Sequence, residues 1–312
     1  MIGDGMRGGA GWGCGAGGGG AEKGLSEDAR TEGMPAAKPA IVLYRQGGPN
    51  VPIEKLRDSE NDTTQPPVIG ITTDVAVVGA GEPGAAPRLR AVGAMTYVDA
   101  VTAAGGLAVL LPPVAAQAGE YARLCDGLVM TGGDDAAMEA FGGVTHPKAT
   151  PMHPARQAFE MALLAAIDAE HAACAERAPR LLGVCLGMQM MTLHNGGVMN
   201  QCLAETLATH REHVKDFAHE VRPTEAGRGV GWIAAGGGRV ASNHRQGVTD
   251  PGRLRVLGLA GDGLIEAVDD PARAFYVGVQ WHPERTADRA MGAAIFERLI
   301  AAARERMAMR GR

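Results

Sequence analysis

The sequence has few cysteines and no basic excess, and both absences narrow the classes of protein that it fits. Five cysteines among 312 residues, an odd number at irregular spacing, do not predict a disulfide framework. The net charge is −5, whereas a nucleic-acid-binding surface requires clustered Lys and Arg side chains. We therefore expect a protein of the reducing cytoplasm that does not bind nucleic acid.

Long apolar runs are also absent. No run reaches the roughly 18 residues that a membrane-spanning helix needs. Glycines occupy the N-terminal segment where a signal peptide would have its apolar core. The sequence thus predicts no association with a membrane.

Glycine, in contrast, is abundant and unevenly distributed. Of the 46 glycines, 15 precede Pro66, and residues 1–66 show no sustained apolar period of either a strand or a helix. This composition predicts a disordered Gly/Pro-rich tail over residues 1–66 and one folded domain over residues 67–312. A domain of that length can bury a sizeable core.

From residue 67 onward, short apolar runs alternate with helical patterns, which is typical of βαβ units around a buried parallel sheet. The last third is more hairpin-like, and Asp262-Gly263 predicts a turn there. We expect an α/β fold with a doubly wound, mostly parallel sheet flanked by helices and an antiparallel portion near the C-terminus. Strands are predicted at residues 68–72, 107–111, 127–130, 181–184 and 275–280, and helices at residues 88–104, 154–170, 188–195 and from 291 onward.

The sharpest local feature is a candidate nucleophile. Residues 183–187 (GVCLG) have the small–x–nucleophile–x–small pattern of a nucleophile elbow, with Cys185 in place of Ser. Small neighbours let a strand turn abruptly into a helix while the nucleophile adopts a strained conformation. The dipole of the following helix favours the thiolate, and the amide of Leu186 is placed as an oxyanion-hole donor. We therefore interpret Cys185 as a nucleophile rather than as a core cysteine.

A thiolate nucleophile needs a histidine to carry its proton and a third group to orient that histidine. His282 and Glu284 lie two positions apart after a strand-like run, so on an extended segment their side chains project to the same side. Glu284 can then fix the imidazole tautomer while the other ring nitrogen faces the sulfur. The sequence predicts a catalytic triad of Cys185, His282 and Glu284.

These motifs, residues 183–189 (GVCLGMQ) and 280–284 (QWHPE), resemble the class I glutamine amidotransferase-like superfamily. Within it, they look most like the gamma-glutamyl-gamma-aminobutyrate hydrolase group of cysteine peptidases. The resemblance runs from about residue 67 to residue 304 and implies a flavodoxin-like fold of the class I glutaminase type. The implied activity is hydrolysis of a γ-glutamyl amide, with glutamate released through a thioester on the cysteine and without a metal or an organic cofactor.

The resemblance also implies further site residues. Residues 126–134 (DGLVMTGGD) match the strand and glycine pair that supply the other oxyanion-hole amide, at Gly133. Residues 242–247 (SNHRQG) look like the family's substrate-side loop. The residues implied to bind substrate are Gly132, Gln189, Ser242, Asn243 and His244.

Two departures from the hydrolase pattern keep other functions open. The hydrolase group usually carries Arg directly after the nucleophile, whereas this sequence has Leu186, the residue type found there in many glutaminase domains. Arg245 occupies a position where His is common. Both are expected to border the substrate pocket. One alternative is a glutaminase subunit that delivers ammonia to a partner synthase, and another is a non-catalytic protein that binds γ-glutamyl compounds. The expected partner is a small γ-glutamyl molecule, and a homodimer is also open.

Two weaker signals concern cofactors. Residues 79–84 (GAGEPG) match a dinucleotide-binding fingerprint, but the predicted second strand ends in two prolines without the acidic residue that would hold the ribose. His210, His213 and His219 suggest a metal site, yet no cysteine or carboxylate cluster lies nearby at ligand spacing. We interpret them as solvent-exposed loop histidines and expect neither a metal nor an organic cofactor.

Overall fold

The structure is a computed structural model that describes residues 65–79, 86 and 88–310, all within one compact unit. The tail predicted over residues 1–66 lies outside the described residues except at its last two positions, and so does the 79–84 motif except for Gly79. Within the described ranges, no helix combines the length and the apolar character needed to cross a membrane.

One mixed sheet of 11 strands dominates the described part of the chain, and a separate antiparallel pair, Asp74–Val78 with Arg88–Val92, accompanies it. The strands are β1 (Val68–Thr72), β2 (Asp74–Val78), β3 (Arg88–Val92), β4 (Leu107–Leu111), β5 (Gly127–Met130), β6 (Arg180–Val184), β7 (Val198–Asn200), β8 (Phe217–Pro223), β9 (Gly238–Ser242), β10 (Gly247–Asp250), β11 (Arg255–Ala260), β12 (Ile265–Asp269) and β13 (Tyr276–Val279).

The order of the main sheet is β4-β1-β5-β6-β13-β12-β11-β8-β9, with β10 paired to β12 and to β7. Its first five strands run parallel, and the pairings from β13 to β9 are antiparallel. Within the parallel part, the interior strands β1, β5 and β6 are almost entirely buried, as expected for strands covered on both faces. The predicted fold, a mostly parallel sheet with antiparallel strands near the C-terminus, is confirmed.

Seven α-helices accompany the sheet among the described residues. They are α1 (Met95–Ala103), α2 (Ala118–Leu124), α3 (Pro154–Ala173), α4 (Leu186–His194), α5 (Leu203–Thr206), α6 (Glu225–Gly229) and α7 (Ala293–Arg310). The two long helices begin or pack as their sequences dictate. Pro154 opens α3 where no backbone donor is needed, and α7 buries Ile295, Phe296 and Leu299 against the sheet.

One predicted helix is wrong at its start. Arg88–Val92 is strand β3, paired antiparallel with β2, and helix α1 begins only at Met95. All five residues of β3 are exposed. No side chain of this segment therefore packs on the core, and a helical pattern of buried residues does not apply to it. The C-terminal end agrees with the prediction, because Gly105 takes a left-handed φ of +89° just after the helix.

The parallel register between β6 and β13 positions the candidate catalytic residues. Val184 is the partner of Val279, and the N–H of Cys185 donates to the carbonyl oxygen of Val279 at 2.8 Å. Both strands therefore end at the same edge of the sheet, and the residues that follow them meet there.

Candidate active site

Cys185 forms a strained elbow between β6 and α4. Its φ is +53° and its ψ is −104°, a conformation that non-glycine residues rarely adopt. A side chain at Gly187 would overlap the carbonyl oxygen of Met130, and one at Gly183 would lie 2.8 Å from the carbonyl carbon of Gly187. The small residues on either side of Cys185 are thus required by close packing of strand and helix.

His282 and Glu284 form a buried pair beside this elbow. The Nδ1 of His282 donates to Oε1 of Glu284 at 2.8 Å, and the two side chains are 8 % and 2 % exposed. Burial alone lowers the pKa of His282, but its hydrogen bonds with Cys185 and Glu284 outweigh burial and raise the pKa to about 10. At neutral pH the imidazole is therefore protonated, and its positive charge lies beside the sulfur of Cys185.

The backbone of the Gly132–Gly133 turn lies against these two side chains. A Cβ on Gly132 would be 3.0 Å from Cε1 of His282 and 3.5 Å from Cβ of Cys185. Leu186 is the first residue of α4, so its N–H has no acceptor inside the helix. The structure thus brings the segments of both predicted oxyanion-hole donors, Gly133 and Leu186, to the nucleophile, and their role as donors stays a prediction.

Sequence reasoning missed the side chains that hold this turn. The Nη2 of Arg156, on α3, donates to the carbonyl oxygens of Thr131 and Gly132 at 2.9 and 3.0 Å. Its Nε donates to Oε1 of Glu160 at 3.0 Å, and both side chains are essentially buried. An Arg and a Glu four residues apart on the inner face of an apolar helix are the sequence signal that could have found this pair.

Tyr97, on α1, was also missed as part of the site. Its hydroxyl oxygen accepts the N–H of Gly132 at 3.1 Å. Burial, together with the negative charges of Glu284 and Cys185, raises the pKa of Tyr97 well above its usual value. The hydroxyl of Tyr97 therefore stays neutral, and its bond to the N–H of Gly132 holds the backbone next to Gly133.

The predicted substrate-binding side chains occupy different environments. Gln189 is buried, and its Nε2 donates to Oε1 of Gln280 at 3.2 Å. Asn243 is exposed, and its carbonyl oxygen lies 4.0 Å from Sγ of Cys185. The atom of Asn243 beside the nucleophile is thus its backbone carbonyl oxygen, whereas its side-chain Oδ1 accepts the N–H of Lys215 at 3.0 Å, and contact of either side chain with substrate stays a prediction.

Ser242 and His244 flank Asn243 and point into the protein. The hydroxyl of Ser242 donates to the carbonyl oxygen of His213 at 3.4 Å, and Nδ1 of His244 donates to the carbonyl oxygen of Gln246 at 2.8 Å. Their exposed fractions are 0 % and 5 %. Both side chains therefore have protein partners, and their contact with substrate stays a prediction.

One expectation from the sequence is wrong. His213 and His219 are not solvent-exposed loop histidines, because both are buried, at 1 % and 7 % exposed, beside Glu266. The spacing along the chain could not show this, since the carboxylate comes from a distant strand. The side chain of Leu186 is buried and that of Arg245 is exposed, and the position of both at the border of the substrate pocket stays a prediction.

Comparison with known proteins agrees with this geometry. Residues 67–284 match the Peptidase C26 family. Gamma-glutamyl-gamma-aminobutyrate hydrolase of Escherichia coli O157:H7 is 32% identical over 232 residues, which span 69% of this chain and 88% of that protein. A Mycobacterium tuberculosis protein named as a glutamine amidotransferase is 33% identical over 198 residues, 62% of each chain, so less than two thirds of that relative is matched.

Comparison with solved structures finds a similar fold at a much lower sequence identity. A crystal structure from Thermoplasma acidophilum, described as one of the subunits of GMP synthase, superposes with a TM-score of 0.52 at 15% identity. The match covers 79% of this chain and 98% of that one. At this identity the likeness establishes the glutamine amidotransferase-like fold alone.

Proposed function

Because this chain belongs to the Peptidase C26 family of class I glutamine amidotransferase-like proteins, we propose that it hydrolyses a γ-glutamyl amide with Cys185 as nucleophile. The proposed substrate is γ-glutamyl-γ-aminobutyrate or a related γ-glutamyl amine. The relative from Escherichia coli supports this substrate class by its name. The observation that carries the proposal is the contact between Cys185, held in its strained elbow, and the buried His282–Glu284 pair.

The first half of the proposed reaction forms a thioester. The thiolate of Cys185 attacks the γ-carbonyl carbon, and the negative charge on the carbonyl oxygen is received by the amides of Gly133 and Leu186. Each such donor contributes about 3–4 kcal/mol of transition-state stabilisation. When the tetrahedral intermediate collapses, the C–N bond breaks and His282 gives its proton to the leaving amine.

The second half returns the enzyme to its starting state. His282, now neutral, takes a proton from a water molecule as that water attacks the thioester carbonyl. The C–S bond then breaks, glutamate leaves, and the thiolate of Cys185 again faces a protonated His282. Throughout, Glu284 holds Nδ1 of His282 so that Nε2 carries the proton in both directions.

The test is glutamate release by the full-length chain. The substrates are γ-glutamyl-γ-aminobutyrate, other γ-glutamyl amines and free glutamine. We expect release from a γ-glutamyl amine that is abolished in Cys185→Ala and retained in Cys174→Ala. Cys174 is the matched control because it is an exposed cysteine outside the site.

Leu186 beside the nucleophile is the observation that favours a second candidate, a glutaminase subunit. Preference for glutamine, together with stimulation by a synthase partner, would replace the proposed hydrolase with that function. A folded protein that releases no glutamate, and whose Cys185 is not labelled by a thiol-reactive γ-glutamyl analogue, would contradict both enzymatic functions. That result would favour a protein that only binds γ-glutamyl compounds.

A further inference from the structure

Four buried side chains from separate segments meet in the antiparallel part of the sheet. His213 lies in the turn before β8, His219 on β8, His244 after β9 and Glu266 on β12. We call this group the His–Glu cluster. Its members are between 0 % and 7 % exposed, and one ligand atom from each lies within 4.8 Å of the others. The cluster is separate from the Cys185–His282–Glu284 group.

The distances inside the His–Glu cluster are longer than those of most hydrogen bonds. Nδ1 of His213 and Nε2 of His244 each lie 3.4 Å from Oε1 of Glu266, and Nε2 of His219 lies 3.6 Å from it. An N–H···O hydrogen bond is shorter, about 2.7–3.2 Å. Zinc bonds of about 2.0–2.1 Å to nitrogen and oxygen place tetrahedral ligand atoms about 3.3–3.4 Å apart, close to the observed separations.

The facing atoms also lack other partners. Among the described residues, none of these three ring nitrogens has a hydrogen-bond partner, and neither does either carboxylate oxygen of Glu266. Five buried polar atoms without hydrogen-bond partners are costly unless something satisfies them. A divalent cation between them would do so.

The opposite ring nitrogens are held as they are in metal-bound histidines. Nε2 of His213 contacts Oδ2 of Asp262 at 2.9 Å. Nδ1 of His244 contacts a backbone carbonyl oxygen at 2.8 Å, and Nδ1 of His219 contacts another at 3.3 Å. A ring nitrogen that donates to such an acceptor leaves the other nitrogen of a neutral imidazole free to bind a metal.

We propose that the His–Glu cluster binds one Zn²⁺ through three imidazoles and one carboxylate. Zn²⁺ suits this donor set and a tetrahedral arrangement better than Ca²⁺ or Mg²⁺, which prefer oxygen ligands. Four protein ligands in a buried position correspond to a structural rather than a catalytic zinc site. His244 directly follows Asn243, whose carbonyl oxygen faces Cys185, so the ion would also fix the loop beside the nucleophile.

The primary test is metal content and spectrum of the full chain. Protein produced with added zinc, desalted and analysed by mass spectrometry, should contain about one zinc per chain, as for a closed structural site. Protein produced with Co²⁺ instead should show the intense visible absorption of tetrahedral cobalt. The spectrum is recorded on the unaltered chain, so it decides the proposal even where a variant fails to fold.

Variants locate the ion. Glu266→Gln, which keeps the shape of the side chain, should lose the metal. Asp262→Asn should weaken zinc binding by about 10–100-fold in competition with a chelator, the usual effect of removing a partner of a metal-bound histidine. His146→Ala should leave metal content unchanged. It is the matched control because His146, Cys202 and Glu205 form the other described group that could hold a metal.

Two results would overturn the proposal. One is a folded, zinc-supplemented protein that retains no zinc and gives no tetrahedral cobalt spectrum, which would leave the His–Glu cluster as a group of buried histidines around a carboxylate. The other is a protein in which His146→Ala removes the metal and Glu266→Gln does not. That result would place the metal site at His146, Cys202 and Glu205.

Discussion

The Nδ1 of His282 lies 2.8 Å from Oε1 of Glu284, and this bond fixes which ring nitrogen can face the sulfur. Both side chains are nearly buried, and Oε2 of Glu284 has no hydrogen-bond partner among the described residues. On its Nδ1 side the imidazole is therefore oriented by a single carboxylate oxygen. A substitution at Glu284 should therefore reduce activity if the orientation of this ring matters for the reaction.

The first prediction concerns Glu284→Gln. An amide can hold the ring but can no longer balance an imidazolium, and its NH₂ group can present a donor to Nδ1 and favour the wrong tautomer. We expect kcat for glutamate release to fall by about 10²–10⁴-fold, the range attributed to general acid–base catalysis, with a smaller change in KM. Steady-state kinetics measure this, with circular dichroism to check the fold. An unchanged kcat would remove Glu284 from the mechanism.

The second prediction concerns the titration of His282. Its pKa is raised to about 10 by Cys185 and Glu284 against the opposing effect of burial, so removing the thiol in Cys185→Ala should lower it. The NMR shift of the His282 Cε1 proton, followed from pH 5 to 11, reports this value. Cys174→Ala should leave the titration as it is in the unaltered protein. The same midpoint in Cys185→Ala would contradict the assigned contact.

The sign of the stability effect follows from the same shift. His282 binds its proton more tightly in the folded than in the unfolded chain, where its pKa is about 6.5. Its contribution to stability is therefore complete below about pH 6.5 and is lost as pH rises through about 10. Urea unfolding at pH 6 and at pH 10 should show a larger decrease in unfolding free energy for the unaltered protein than for His282→Gln.

The third prediction separates positioning from stability at Arg156. Arg156→Met alone leaves Glu160 buried and unpaired, which should cost about 3–5 kcal/mol of unfolding free energy. Replacing both residues by Met removes the two buried charges together, so most of the lost unfolding free energy should be recovered. Activity should not recover, because the carbonyl groups of Thr131 and Gly132 still lack the guanidinium that holds their turn.

The measurements are urea unfolding and kcat on the same preparations. For the double variant we expect a decrease in kcat of about 10²-fold, the effect of misplacing a catalytic group by about 1 Å. Arg123→Met is the control, since Arg123 is a partly exposed arginine on the neighbouring helix α2. If the double variant is as stable and as active as the original, the pair stabilises the fold without positioning the turn.

How much the sequence could predict depends on whether a feature is local. The elbow around Cys185 and the His282–Glu284 pair are each written within a few consecutive residues, and the parallel strands appear as uninterrupted apolar runs. The Arg156 contact requires knowing that α3 lies beside the residues that follow β5, which no local pattern states. The His–Glu cluster takes ligands from positions 213 to 266, so spacing rules for metal sites could not find it.

The last prediction tests why position 187, two residues after the nucleophile, requires glycine. A Cβ at Gly187 would overlap a backbone atom, the carbonyl oxygen of Met130 on β5, and backbone cannot move aside as a flexible side chain can. Gly187→Ala should therefore displace α4 from the sheet and lower the unfolding free energy by about 3 kcal/mol, at the upper end of usual overpacking costs. The same shift moves the amide of Leu186, so kcat should fall as well. Gly236→Ala is the matched control, because a Cβ there meets nothing within 4 Å. If both alanine variants unfold at the same urea concentration, the contact between α4 and β5 is not what requires glycine at position 187.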